Sequence, residues 1–306
     1  MRELKNGIKI VGIDAGYGNI KCGCGSVFKT AVTEYDTEPI FNGNVLEYKG
    51  KYYRIGEGHK EFISDKSADK DFYILTLMGI VKELRRAGLR EGTVYLAAGL
   101  PLKWVQSQRD SFRDYLLQDR SIDLKYNDED YHIELIGCSI FPQCYPAIVK
   151  RLKDFSGINL LADIGNGTMN ILYIQNKKPV ENKSWTEKLG VNRLIIKARN
   201  AVMDNFGVKM DENIIEQYIR FGNVDIAEKY LKLLHTESVK YTKEVFAALR
   251  RYDYDPDLMK LYIVGGGGCI IKNFGKYDSE HVEIIEDISA AAQGFEHLAF
   301  LQFTRS

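Results

Sequence analysis

Short apolar runs alternate along the chain with stretches of helical period. Residues 8–14 (IKIVGID) and 20–28 (IKCGCGSVF) read as two strands around the turn 15–19, where glycines sit at positions that suit positive φ. Residues 41–56 read as a second hairpin with Lys49-Gly50-Lys51 at its tip. The apolar positions 74, 77, 78, 81 and 84 keep helical spacing. VYLAAGLPL (94–102) reads as a short buried strand ending at a proline, 104–118 as helical, 131–141 as strand-like and 145–154 as helical. A third hairpin follows, with strands at 159–165 and 169–175 around Asn166-Gly167-Thr168. The pattern then turns mainly helical: Val191, Leu194, Ile195, Ala198, Ala201 and Val202 form one stripe, and 224–251 is a long amphipathic stretch. A buried strand at 260–268 runs into a glycine loop, and 287–303 reads as a helix broken at Gly294. Strands linked by helices predict α/β layering.

No low-complexity linker marks a domain boundary, but an internal repeat does. Asp14-Ala15-Gly16-Tyr17-Gly18 and Asp163-Ile164-Gly165-Asn166-Gly167 match at a constant offset, since 163 − 14, 165 − 16 and 167 − 18 all equal 149. That is about half of the 306 residues, and each copy sits between two apolar strands. Two similarly built α/β domains facing each other are expected.

Charge narrows the partners. Lys and Arg total 42 and so do Asp and Glu, so the chain lacks the basic excess with which a protein neutralises a nucleic-acid backbone. No stretch approaches 18 uncharged apolar residues, and the longest uncharged one, 135–149, holds Pro142 and Pro146, so no membrane span is expected. The first ten residues lack an apolar secretion-signal core. Five cysteines without a disulfide-like framework fit a reduced, cytoplasmic chain.

The repeated turn suggests chemistry. A tight glycine turn with exposed N–H groups makes an anion-binding concavity, and two facing each other could hold the phosphates of a nucleotide. Lys21 would add a point charge. Carboxylates beside phosphates call for a cation between them, so Asp14 and Asp163 would hold Mg²⁺ through its waters. The competing reading is two ordinary hairpin turns, in which Asp and Gly are common. Gly265, Gly266, Gly267 and Gly268 after a buried strand would allow close approach of adenine and ribose, whereas a plain flexible loop is the alternative. This run is neither a P-loop nor a dinucleotide fingerprint.

Taken in order, Asp14-x-Gly16-x-x-Asn19-Ile20-Lys21, Asp163-Ile164-Gly165-x-Gly167-Thr168 and Val264-Gly265-Gly266-Gly267 resemble the phosphate-1, phosphate-2 and adenosine motifs of the actin/Hsp70/sugar-kinase superfamily. The likeness is greatest to the bacterial ParM/StbA actin-like proteins of plasmid segregation. Phe141-Pro142-Gln143-Cys144-Tyr145-Pro146-Ala147, Leu189-Gly190-Val191 and Ala291-Ala292-Gln293-Gly294-Phe295 resemble further segments of that family. The resemblance implies an actin-like fold of two RNase H-like α/β domains flanking a nucleotide cleft, each with a smaller subdomain. The domains would be 1–156 with 290–306, carrying phosphate-1, and 157–289, carrying phosphate-2 and the adenosine loop.

It further implies ATP and ADP as ligands with Mg²⁺ supported by Asp14 and Asp163, and ATP hydrolysis coupled to filament assembly. By position, Gly16, Tyr17, Gly18, Asn19 and Lys21 cradle phosphate on one side, and Gly165, Asn166, Gly167 and Thr168 on the other. Gly265 to Gly268 and Ile271 face the adenosine, and the ribose contacts fall after 207. Gln143 stands where the family orients the attacking water. Several relatives have Glu there; Gln can align water but cannot take its proton. Asn170 stands where relatives often carry a second Asp. The implied partners are further copies of the chain, head to tail, and a DNA-binding adaptor of ParR type, with no direct contact to nucleic acid or membrane.

Other signals weigh less. Glu57-Gly58-His59 and Cys22-Gly23-Cys24-Gly25 resemble the sugar and zinc motifs of ROK-type sugar kinases, but both precede phosphate-2 instead of following it. A small-metabolite kinase on the same fold is the alternative function, though no substrate acid/base or acceptor motif is visible. A chaperone is disfavoured because the chain ends about a dozen residues after Gly294. The basic face Arg193, Lys197 and Arg199 reads as a solvated helix face. The histidines show no nucleophile–base pattern, and most of the 19 tyrosines suit strands.

Overall fold

The computed structural model describes residues 1–40, 43–56, 66–102 and 104–304; Phe41 and Asn42 of the second hairpin and the Glu57-Gly58-His59 motif lie outside them. The chain forms two units, Met1–Lys150 with Ser289–Ser306, and Arg151–Ile288.

In the first unit the strands are β1 (Arg2–Glu3), β2 (Lys9–Ala15), β3 (Asn19–Cys22), β4 (Val27–Lys29), β5 (Val32–Tyr35), β6 (Val45–Tyr48), β7 (Lys51–Ile55), β8 (Glu91–Leu100), β9 (Ser121–Tyr126) and β10 (Glu129–Pro142). They make one sheet in the order β4-β3-β2-β8-β10-β9-β6-β7-β5, with β1 paired to β2. Helices α1 (Lys70–Arg86) and α2 (Val105–Leu116) and the closing helix Ala290–Thr304 belong to this unit. The carboxylate of Asp69 caps α1 by accepting the Asp71 N–H at 3.0 Å. Buried residues of α1 such as Phe72, Leu75, Leu77 and Ile80 join Val11, Ile13, Leu96 and Ile133 of the strands in one core.

In the second unit β11 (Ile158–Ile164), β12 (Met169–Gln175) and β13 (Lys178–Glu187) precede α3 (Val191–Phe206), α4 (Glu212–Phe221) and α5 (Glu228–Arg251). Then come β14 (Lys260–Val264), α6 (Gly268–Phe274) and β15 (Val282–Ile284). The sheet order is β13-β12-β11-β14-β15. The internal repeat is thereby a repeat of topology. Both units contain strands in the order third, second, first, fourth, fifth, with β4-β3-β2-β8-β10 answering to β13-β12-β11-β14-β15. In each, the first three strands run antiparallel to their neighbours and the last two run parallel to the first. Both Asp-x-Gly-x-Gly turns lie between the first and second strand.

Several sequence expectations are corrected. Residues 20–28 are not one strand: the Cys22 N–H donates to the Ser26 carbonyl at 2.9 Å and Gly25 has φ +89°, so β3 and β4 form a tight hairpin. Strand β9 was not expected, although Ile122, Leu124 and Tyr126 alternate toward the core and Asn127-Asp128, both at positive φ, make its turn into β10. Strand β13 hid behind a polar sequence because it lies at the sheet edge, where Pro179 is tolerated. The 145–154 segment is a 3-10 helix. Gly294 does not break the closing helix: a Cβ there would lie 1.9 Å from the Pro146 carbonyl oxygen, so the glycine allows helix and backbone to touch.

Candidate functional site: two hairpin turns

The first turn is built around Asp14 at the end of β2, 4% exposed. The antiparallel register sets Asp14 opposite Lys21, which explains their spacing of seven, and Lys21 Nζ donates to Asp14 Oδ2 at 3.0 Å. Gln143, just past β10, donates from Nε2 to Asp14 Oδ1 at 2.8 Å. Its own N–H donates to the Leu100 carbonyl at 2.8 Å, and the next residue, the buried Cys144, has φ +81°. That left-handed residue turns the chain from β10 into the 3-10 helix while Gln143 faces the carboxylate.

Burial pushes the Asp14 carboxyl upward, but Lys21, then Lys66 and the Gln143 hydrogen bond, outweigh it and hold the carboxyl below its ordinary range. Lys66, itself 1% exposed, donates to the Ala15 carbonyl. Thr30 Oγ1 donates to the Gly16 carbonyl at 2.6 Å, and the Thr30 N–H donates to the Gly18 carbonyl at 3.0 Å. A Cβ on Gly16 would lie 2.8 Å from the Asn19 carbonyl oxygen, so the loop is as tight as a glycine permits. Tyr17 and Gly18 are half-buried and Asn19 is exposed.

The second turn is made differently. Asp163, half-buried on β11, registers with Asn170 of β12 and Val264 of β14. Asn170 is buried and accepts from Thr186 Oγ1 at 2.9 Å. The Gly165 N–H donates to the Thr168 carbonyl at 2.9 Å. The N-terminus of α3 then docks on the turn: the Val191 N–H donates to the Gly165 carbonyl at 3.0 Å and the Asn192 N–H to the Asn166 carbonyl at 2.9 Å. Two donors that a helix start leaves over are thus satisfied. A Cβ on Gly190 would sit 2.2 Å from the Asn166 carbonyl oxygen.

The glycine loop belongs to the same assembly. Gly265 has φ +84° and a Cβ there would lie 2.5 Å from Asp163 Oδ1, while the Gly267 N–H donates to the Ile164 carbonyl at 2.9 Å. Gly267 and Gly268 are buried against Ile164 and Ile284, so they serve packing; Gly266 is exposed with open space around it. Ile271 is wholly buried in the core, behind the loop.

Within the first unit the structure joins Asp14, Lys21 and Gln143, and within the second it joins Asp163, the 165–168 turn and the glycine loop. Sequence reasoning missed Lys66 and Thr30, which carry no motif, and the bracing role of Gly190. The basic face of α3 is engaged by acids of its own unit: Arg193 and Lys197 pair with Glu244 at 3.1 and 2.6 Å, and Arg199 pairs with Glu212. Cys22, Cys138 and Cys144 are buried, Cys24 and Cys269 are half-buried, and all five are free thiols. His132 lies between Asp123 and Glu134, and His281 beside Asp278. Among the described residues no group of three or more His, Cys, Asp or Glu could hold a metal ion, and no helix is long and apolar enough to cross a membrane.

These two sheets with their equivalent turns make an actin-like fold, and comparison with known proteins agrees on the fold. Residues 12–145 match the family model for the N-terminal domain of actin-like proteins. Solved structures of that fold match over nearly all of the chain. The archaeal actin homologue Ta0583 matches with a TM-score of 0.79 and 18% identity, over 97% of this chain and 99% of that one, and it has also been solved with ADP. The pSK41 ParM protein matches with a TM-score of 0.71 and 17% identity, over 98% and 99%. Alp12, solved as a filament, matches with a TM-score of 0.70 and 19% identity, over 97% and 99%. No curated protein sequence matches the chain.

Proposed function

We propose that this protein is a cytoplasmic ATPase of the ParM kind, which assembles into filaments with ATP and moves plasmid DNA through a DNA-bound adaptor. The observation that carries the reading is the duplicated turn: the same Asp-x-Gly-x-Gly sequence at the same place in two sheets of the same order. Support comes from the actin-like fold, from a structural neighbour solved with ADP and from another solved as a filament.

In this reading the turns 15–19 and 165–168 direct backbone N–H groups at phosphate oxygens, and Lys21 adds charge to the first. Magnesium suits the chemistry of each aspartate taken by itself. Asp14 is held charged and Asp163 is half-buried, and this ion takes one or two carboxylates while keeping several waters. Asp14 and Asp163 would hold it through those waters, and when bound it would offset charge on the phosphates. Gln143 spends its Nε2 on Asp14, which leaves Oε1 to accept from the attacking water. It orients that water without removing its proton. Gly265 and Gly266, with the buried Gly267, Gly268 and Ile271 behind them, form the floor for the adenosine.

Filament contacts are head-to-tail, so they extend without closing. The zero formal charge favours reaching DNA through an adaptor. Light scattering with pelleting tests this. Sedimentable polymer is expected with ATP, loss of polymer as ADP accumulates, and no DNA in the pellet without an adaptor. A protein that stays monomeric with ATP well above micromolar concentration and phosphorylates a sugar would overturn the reading.

A further inference from the structure

Among the described residues, eight other than glycine have positive φ. Seven of them are Asn, Asp or Lys in exposed turns. The eighth is Cys144, 0% exposed with φ +81°. Cysteine is not among the residues that visit the left-handed region readily. A buried residue persists there only where its surroundings fix it, and such residues collect at functional sites.

Two anchors fix this one. Upstream, β10 runs parallel to β8 with Pro142 opposite Leu100, and the Gln143 N–H extends the ladder to the Leu100 carbonyl at 2.8 Å. Phe141 stacks on Phe295 of the closing helix, with ring centres 6.1 Å apart. Downstream, the Ala147 N–H donates to the Cys144 carbonyl at 3.1 Å and opens the 3-10 helix. Gly294 brings the closing helix onto the Pro146 backbone, where a Cβ would lie 1.9 Å from the carbonyl oxygen. Only Cys144 and Tyr145 lie between the Gln143 amide and that contact, so the chain turns within two residues. With the turn made at Cys144, Gln143 Nε2 lies 2.8 Å from Asp14 Oδ1, and all of these residues belong to the first unit.

We propose that Cys144 is a positioning residue for hydrolysis: its left-handed backbone, held between the end of β8 and the closing helix, aims Gln143 at Asp14 and at the water that Gln143 aligns. The inference rests on the ATPase reading above. The role belongs to the backbone at Cys144 and not to its thiol. A chain with one permitted course leaves the Gln143 side chain one direction, as a group that orients a reactant requires.

Three substitutions separate backbone from side chain. Cys144→Gly adopts the conformation freely, Cys144→Ala keeps the penalty without the sulfur, and Cys144→Val, branched at Cβ, resists it most. Steady-state ATPase, equilibrium binding of a fluorescent ATP analogue with Mg²⁺ and thermal melting without nucleotide are measured. In Cys144→Val kcat falls about tenfold to a hundredfold below that of Cys144→Gly, the upper end being the whole effect of losing Gln143. Kd differs between the two by less than about threefold, because Lys21 still holds Asp14. On a Gln143→Ala background the difference in kcat shrinks below about threefold, since Cys144 acts through Gln143. Cys144→Gly melts about 2–4 °C above Cys144→Ala, against the usual order of these two residues. Equal kcat in Cys144→Val and Cys144→Gly, or an undiminished difference without Gln143, overturns the positioning role. Should Cys144→Val fail to fold, the Gly and Ala variants, both smaller than cysteine, still decide. A Cys144→Gly that melts no higher than Cys144→Ala overturns the strain and the inference with it. A wild type that hydrolyses no ATP overturns the ATPase reading itself.

Discussion

The two hairpin turns share a sequence pattern and a place in the sheet, yet they are held by opposite means. The first is braced by side chains: Lys21 and Gln143 on Asp14, Lys66 on the Ala15 carbonyl, Thr30 on the Gly16 carbonyl. The second is braced by backbone: two N–H groups of α3 on the Gly165 and Asn166 carbonyls, with Gly190 letting the helix start approach. A short motif therefore specifies what a turn presents and leaves open how the fold supports it. The first turn should fail when side chains are truncated, the second when a side chain is added.

The sharpest break is at the paired aspartates. Asp14→Ala and Asp163→Ala should each abolish most Mg-ATP binding or hydrolysis, because the phosphates lose an organised cation. Their effects on stability should differ. Asp14→Ala removes a buried carboxylate that Lys21 and Gln143 both donate to, a loss of about 3–5 kcal/mol. Asp163 is only half-buried, and Asp163→Ala should cost far less in urea denaturation without nucleotide. The wild type carries a matching pH signature. The Asp14 carboxyl is depressed on folding, so its contribution is present above the ordinary carboxyl range and disappears as pH falls through the lowered value. Asp14→Ala should remove that acid limb. Equal stability losses in the two variants would erase the contrast, as would wild-type ATPase in either one the nucleotide assignment.

Next comes Gly190→Ala. Its methyl would meet the Asn166 carbonyl oxygen at 2.2 Å, so the α3 start and the turn must part, at about 3 kcal/mol for backbone overpacking. Amide exchange should quicken at Val191 and Asn192 and stay unchanged in the first turn. A variant as stable as wild type would show that α3 does not brace the turn.

This contrast also shows what the sequence could convey. Residues that touch in the folded chain because they are close along it were legible: the Asp14–Lys21 pairing follows from a hairpin, and the duplicated turn from its offset. Gln143 was found by motif, but its bond to Asp14, 129 positions away, needed the parallel pairing of β2, β8 and β10. Lys66 and Thr30 reach the turn from segments whose polarity reads as surface. The same limit hid β13, whose edge position tolerates polar residues, and misread Gly294, whose reason is the Pro146 backbone.

Gln143→Ala separates chemistry from binding within the first turn. Positioned groups that manage proton transfer contribute about 10²–10⁴-fold, and a residue that only aligns water belongs at the lower end, roughly 10² in kcat. Nucleotide affinity should survive, because Lys21 still holds Asp14. An unchanged turnover in Gln143→Ala would move water alignment elsewhere, with Asp163 the next candidate.

The smallest effect isolates bracing without charge. Thr30→Val removes the donor to the Gly16 carbonyl but keeps the shape of a buried side chain and the Thr30 backbone bond to Gly18. Gly16 is half-buried, so water can replace part of what is lost, and about 1 kcal/mol is expected. For a unit of this size that corresponds to about 2–4 °C in melting temperature. Thr186→Val is the matched control in the second unit: it removes the bond to Asn170, which lies on a strand beside the turn. Both variants should lose similar stability, but only Thr30→Val should weaken nucleotide binding, by about threefold to tenfold on the same energy scale. If Thr186→Val weakens binding as much, the second turn also depends on side chains, and the contrast between the two turns fails.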